Sequence, residues 1–252
     1  MSDFETLLFD DSRDHVEVTL NRSDTKNAID AQMIDELHRV CAILERTPQI
    51  MILTGGADGV FAGGADIAQL RDRNRDDGLA GINVTLFERI RALPLPTVAA
   101  IDGYALGGGA ELSYACDVRL ATPRTVFGQP EPGLGIIAGA GATFRLVRLL
   151  GESVAKQVLL AGEWLDADQA LRFGLVQSVV DPTELVAAAR GVAEKMGRSS
   201  QLALRMTKLA VDAGEGAHPQ IELAIQAMLF EDDEKIARMT DFLDRRAARS
   251  AR

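Results

Sequence analysis

Little in this 252-residue chain is suited to covalent or metal chemistry: two cysteines, one tryptophan, two tyrosines and three histidines. Cys41 and Cys116 are too few for a disulfide scaffold and fit a reducing compartment. His15, His38 and His218 are scattered without metal-ligand spacing, so no metal site is predicted. No apolar stretch approaches the roughly 18 residues needed to cross a bilayer. The opening Met1-Ser2-Asp3-Phe4-Glu5 has neither the basic start of a secretory signal nor the arginines of a transit peptide. The chain therefore reads as cytoplasmic, with no membrane role. Positive charge is also scarce, with 27 Lys and Arg against 37 Asp and Glu, a net charge of −10. Such a chain gains no counterion release from a phosphate polymer, so nucleic acid is not expected as a partner. Repeats, low-complexity tracts and Gly/Ser/Pro linkers are missing. So are the phosphate-binding G-x-x-x-x-G-K-[ST] and the nucleophile elbow G-x-S-x-G. Gly133-Leu134-Gly135 with Gly139 is one residue too long for a dinucleotide fingerprint.

The length and a 47% hydrophobic content suffice for one sizeable domain with a small appendage. Thr6 to Phe9 and His15 to Leu20 read as strands, the second with Val16, Val18 and Leu20 alternating with polar neighbours. Asp30 reads as an N-cap, followed at helical spacing by Met33, Ile34, Leu37, Val40, Cys41 and Leu44, and Pro48 closes the segment. Further strands are expected at Ile50 to Leu53, Thr97 to Ile101, Val118 to Ala121, Thr125 to Phe127 and Leu175 to Val180. A helix is expected over Ala110 to Ala115. Another lies between an N-cap at Asp166 and a stop at Gly174. The charge-dense Arg71 to Asp77 reads as a solvated face. Strands alternating with helices predict an α/β fold with largely parallel pairing, because parallel neighbours need a long crossover. From Ser199 onward the chain reads as helical, with apolar stripes that pack on their own core or meet another subunit.

Three short constellations carry chemistry. Gly107-Gly108-Gly109, between a strand and a helix, bares amides at the positive end of a helix dipole, a setting for an anionic oxygen. A tight turn or close helix packing would need the same glycines. Glu111 lies three residues after Gly108, one turn on along the same face. Glu131 sits in Gln129-Pro130-Glu131-Pro132-Gly133, where Pro132 biases it toward extended backbone and Pro130 stiffens its other flank. Gly63-Gly64-Ala65-Asp66 again bares a backbone amide, that of Ala65. Two amides converging on one carbonyl oxygen, with two carboxylates nearby, outline proton chemistry at the α and β carbons of a thioester.

These segments resemble the enoyl-CoA hydratase/isomerase, or crotonase, superfamily, and most closely its enoyl-CoA hydratases. The likeness runs from Leu20-Asn21-Arg22 and Asn27-Ala28 to Arg246. It is densest over Ala62 to Ile67, Asp102 to Leu112, Phe127 to Glu131, and Gly133-Leu134-Gly135 with Gly139 and Gly141. The resemblance implies a core of ββα units in a spiral, residues 1–195, that carries the CoA thioester site. A helical C-terminal trimerisation region, residues 196–252, would follow it, giving a homotrimer or a hexamer built as a dimer of trimers. It places the oxyanion-hole amides at Ala65 and Gly108 and the catalytic acid–base pair at Glu111 and Glu131. Asp66, Ile67 and Ala68 would line the path of CoA, and Lys26 would meet a CoA phosphate. The implied activity is hydro-lyase chemistry, water added reversibly to trans-2-enoyl-CoA, as in fatty acid β-oxidation. No metal or redox cofactor is implied, CoA being part of the substrate. The alternatives are a double-bond isomerase or another crotonase-type CoA lyase, and a non-catalytic acyl-CoA-binding protein. Both acids together favour the hydratase.

The chain departs from the family pattern in places. Ala138 and Ser23 stand at positions where proline is common, and Ala142 and Phe144 replace a commoner Gly and Gln. Met239, Phe242 and Arg246 match the closing helix, but Ala237 and Arg238 replace its Glu-Gly. Arg245, Arg246, Arg249 and Arg252 form a basic end.

Overall fold

Burial of Val16, Val18 and Leu20 on one strand fixes the edge of the main sheet: β2 (His15–Leu20) pairs antiparallel with β1 (Leu7–Asp10). The structure is a computed structural model that describes residues 4–56 and 59–250. Met1 to Asp3 of the acidic start, Arg252 and the Arg249 side chain lie outside the described residues. Helix α1 (Ala31–Arg46) starts at Asp30, whose carboxylate accepts from Met33 N at 2.8 Å. It buries the stripe from Met33 to Leu44 that its spacing predicts.

From there the chain repeats one pattern, laying one strand in each of two sheets per turn. β3 (Ile50–Thr54) is followed by β4 (Val60–Ala62) and the helices α2 (Ile67–Asp72), α3 (Arg75–Ala80) and α4 (Ile82–Arg91). The next turn is β5 (Thr97–Ile101), β6 (Tyr104–Leu106) and α5 (Gly108–Ala115), and then come β7 (Val118–Ala121) and β8 (Val126–Gly128). After α6 (Ala142–Ala161), the short β9 (Leu165–Asp166), α7 (Ala167–Arg172) and β10 (Ser178–Val179) complete the sheets. The six-stranded sheet has the order β1-β2-β3-β5-β7-β10 and the four-stranded sheet β4-β6-β8-β9. Every pairing is parallel except β1 with β2 and β8 with β9. β3 and β5 are buried along their whole length, as strands covered on both faces should be.

Two differences from expectation have simple causes. Strands β4, β6 and β9 span only two or three residues, too few to show an alternation. The strand expected from Leu175 shrinks to Ser178–Val179, because Leu175 N and Val176 N donate to Ala170 O in the turn that ends α7. That turn uses Gly174 at φ +81°, the stop the sequence predicts.

The described residues divide into two compact units, between Glu194 and Lys195. The boundary falls within α8 (Leu185–Gly197). The second unit holds α9 (Gln201–Asp212), α10 (Gln220–Phe230) and α11 (Asp233–Ser250). Neither α9 nor α10 has a buried residue, and Leu223, Phe230, Met239, Phe242 and Leu243 are each more than half exposed. No helix among the described residues is long and apolar enough to cross a membrane.

Candidate active site

The three glycines after β6 meet different surroundings. Gly107 has φ +49°, and a Cβ there would lie 2.6 Å from Glu131 Oε1. A Cβ on Gly108 would lie 3.4 Å from Ala65 N, so the start of α5 and the loop after β4 approach closely at this point. A Cβ on Gly109 would fall 2.2 Å from Ala62 O, where α5 crosses the end of β4. Close packing and a bared amide, open alternatives in the sequence, thus belong to different glycines of the run.

The loop that carries Ala65 is clamped from the segment before α1. Gly63 N donates to Lys26 O at 2.9 Å, Ile29 N to Gly64 O at 2.8 Å, and Asp66 N to Ile29 O at 3.1 Å. Behind it, buried Asn27 donates from Nδ2 to Gly55 O, Val60 O and Phe61 O at 2.9–3.1 Å. On the other side, Gly107 N donates to Gly128 O at 2.8 Å, which ties the start of α5 to the strand leading to Glu131. Among the described residues the N–H groups of Ala65 and Gly108 themselves find no protein acceptor. Two rigidly held donors are left for a ligand oxygen.

Glu111, in the first turn of α5, is 2% exposed. Its Oε1 accepts from Ala140 N at 2.8 Å and Ala142 N at 2.9 Å, which leaves Oε2 for a ligand. Burial pushes its pKa up to about 7, against the pull of those two amides, and the nearby Glu131 charge adds to the rise. Arg145, also 2% exposed, holds the same loop: it donates to Ala140 O at 3.0 Å and pairs with Glu88 at 2.6 Å.

Glu131 is 8% exposed, and burial raises its pKa as well. It opens a 3₁₀ turn, Glu131–Leu134, in place of the extended backbone that Pro132 predicts. Pro132 is tolerated in the first turn of a helix because its missing N–H would have no partner there. The amide of Gln129, assigned from the hydrogen-bond network, donates to both Glu131 carboxyl oxygens, at 3.0 and 3.2 Å.

These groups line one cavity of about 470 Å³, which brings together Ala65, Gly108, Glu111, Glu131 and Ile67. Its apolar wall includes Leu70, Ile82, Val84, Leu134, Ile136 and Ile137. Of the other expected binding residues, Asp66, Ala68 and Lys26 stand outside the lining. Asp66 caps α2 by accepting from Gln69 N at 3.1 Å, and Lys26 lends its carbonyl to the Gly63 loop. Part of the segment read as a solvated face does line the cavity, namely Arg73, Asn74 and Asp77, with Arg73 donating to buried Asn83 at 2.8 Å. The sequence reading also misses Arg145 and Gln129 as supports of the two acids. An arginine between Ala142 and Leu146 on a buried helix face was the available signal for Arg145.

The pattern of the family described as Enoyl-CoA hydratase/isomerase matches residues 13–249. The short-chain-enoyl-CoA hydratase of Clostridium acetobutylicum is 38% identical over 240 residues, 91% of each chain. The crotonyl-CoA hydratase of Syntrophomonas wolfei is 35% identical over 255 residues, 97% of each chain. The crystal structure of an enoyl-CoA hydratase from Bacillus anthracis superposes with a TM-score of 0.90 at 30% identity, covering 96% of this chain and 97% of that one. The chain therefore belongs to the enoyl-CoA hydratase/isomerase family, and its fold is the crotonase fold.

Proposed function

We propose that this protein is an enoyl-CoA hydratase, a hydro-lyase that adds water reversibly to trans-2-enoyl-CoA and yields the 3-hydroxyacyl-CoA, as in fatty acid β-oxidation. The observation that carries the reading is the meeting in one cavity of two buried carboxyls, both with raised pKa, and two amides without protein acceptors. The thioester carbonyl accepts from Ala65 and Gly108, and negative charge grows on its oxygen. Glu111, with its pKa near the working pH, deprotonates the water that attacks the β carbon. Glu131 delivers the proton to the α carbon, and the roles reverse in dehydration. Each amide contributes on the order of 10²–10³ in rate and each acid–base group about 10²–10⁴.

The substrate is an acyl-CoA thioester, whose CoA part passes Asp66, Ile67 and Ala68 and meets Lys26 through a phosphate. All proton movements are assigned to side chains of this chain, with no metal or redox cofactor. The cytoplasm suits two buried thiols that form no disulfide, that of Cys41 pushed up to about 12 by burial. The exposed apolar faces of α10 and α11 support a homotrimer or a dimer of trimers. The test is direct: the protein mixed with crotonyl-CoA should yield the 3-hydroxy product, one water heavier. Binding without turnover across short, long and aromatic enoyl-CoAs would instead identify an acyl-CoA-binding protein.

A further inference from the structure

Tyr114 lies one turn beyond Glu111 on α5, with its ring against Phe127 at 6.2 Å between centroids. It is 2% exposed, and its hydroxyl has no partner while the Gln129 amide points its oxygen at Glu131. A buried phenol without a partner is costly, on the order of 1–3 kcal/mol. Gln129 is itself fully buried and is the side chain that neighbours that hydroxyl. Turning the amide so that its nitrogen faces Glu131 lets Gln129 Nε2 donate to the carboxyl at 3.0 and 3.2 Å, and it leaves Gln129 Oε1 as the acceptor that the Tyr114 hydroxyl lacks. With the phenol donating to that oxygen, a chain of two hydrogen bonds would run from the core to the cavity, each polarising the next.

We infer that Tyr114 is a positioning residue that acts through Gln129 to hold Glu131 as a proton carrier. The inference rests on the acid role proposed above for Glu131. Its physical content is directional. A carboxylate only accepts, so it turns the amide hydrogens toward Glu131, and the phenol, by donating to the amide oxygen left behind, holds that orientation. Amide hydrogens favour the carboxylate, whereas an amide oxygen would favour the protonated acid. The charged groups that face the phenol are Glu111 on its own helix, Glu131 beyond β8, and Arg119 on β7. Burial raises the phenol's own pKa, so it remains a donor wherever the two carboxyls titrate.

The test compares Tyr114→Phe, which keeps the ring, with Gln129→Met, which keeps the volume of the side chain but cannot hydrogen-bond. The titration of Glu131 is followed by carbon NMR of carboxyl-labelled glutamate in the free protein, with Glu131→Gln assigning the signal. Tyr114→Phe should move the midpoint upward and Gln129→Met should move it further. Tyr114→Phe should then add nothing in the Gln129→Met background. Hydration of crotonyl-CoA by Tyr114→Phe should lose about 3- to 10-fold in kcat with KM little changed. An unmoved midpoint, or equal effects of Tyr114→Phe in both backgrounds, would reduce Tyr114 to a packing residue and overturn the inference. The titration can be read whether or not the wild type hydrates crotonyl-CoA, so the two readings fail separately.

Discussion

Glu111 is where stability and function pull in opposite directions. A glutamate in the unfolded chain ionises near 4.5, whereas in the fold it ionises at about 7. Below pH 4.5 both states are protonated and burial of the neutral acid is tolerated. As the pH rises toward 7 the unfolded chain releases its proton first, and the fold loses stability relative to it. Glutamine keeps the acceptor for Ala140 N and Ala142 N without the charge. Glu111→Gln should therefore raise Tm at pH 8, by the equivalent of roughly 2–3 kcal/mol, with the gain shrinking as the pH falls toward 4.5. Thermal melts across that range check it, and a gain independent of pH would contradict the assignment. On the proposed mechanism the same ionisation should put the acid limb of the hydration profile near pH 7, as an apparent value of the pair, and a pH–rate profile checks it. That Ala65, Gly108, Glu111 and Glu131 meet at one cavity was legible through the family resemblance, since a run of glycines or a proline-flanked glutamate alone has other uses. Gln129, Tyr114 and Arg145 were not, because their roles depend on partners that are distant in sequence or reached only through the fold.

Elements with their own local signal were recovered nearly to the residue. His15–Leu20, Thr97–Ile101 and Val118–Ala121 match expectation, as do the caps at Asp30 and Asp166. The four-stranded sheet was mostly invisible, since its strands are two or three residues long and are defined by pairing alone. That sheet matters for the site, because β4 and β6 deliver the two amide-bearing loops. The tightest point between them is Gly109 against Ala62 O. Gly109→Ala forces α5 away from β4, so a loss of about 1–3 kcal/mol or more is expected, together with a collapse of activity. Gly133→Ala, where a Cβ meets nothing within 4 Å, should be far milder. Denaturant melts of the two variants give the comparison, and equal losses would show that the crossing is not tight.

The chain as a whole presents an imbalance. The first unit buries a continuous core, while the second exposes Leu223, Met228, Phe230, Ile236, Met239, Phe242 and Leu243. Helices with apolar side chains exposed in this number need a covering surface in solution. The sequence showed the stripes and left open what they meet. Light scattering after gel filtration should report three or six copies, and Phe242→Glu should shift the protein to smaller species. A monomer in both cases would remove the trimer from the account.

The account turns on two acids acting on one bound thioester. Crotonyl-CoA hydration by the wild type, Glu111→Gln and Glu131→Gln, with thioester affinity measured alongside, addresses it most directly. Each variant should bind the thioester within a fewfold of wild type while kcat falls by about 10²–10⁴. Unchanged turnover in both variants would contradict the mechanism.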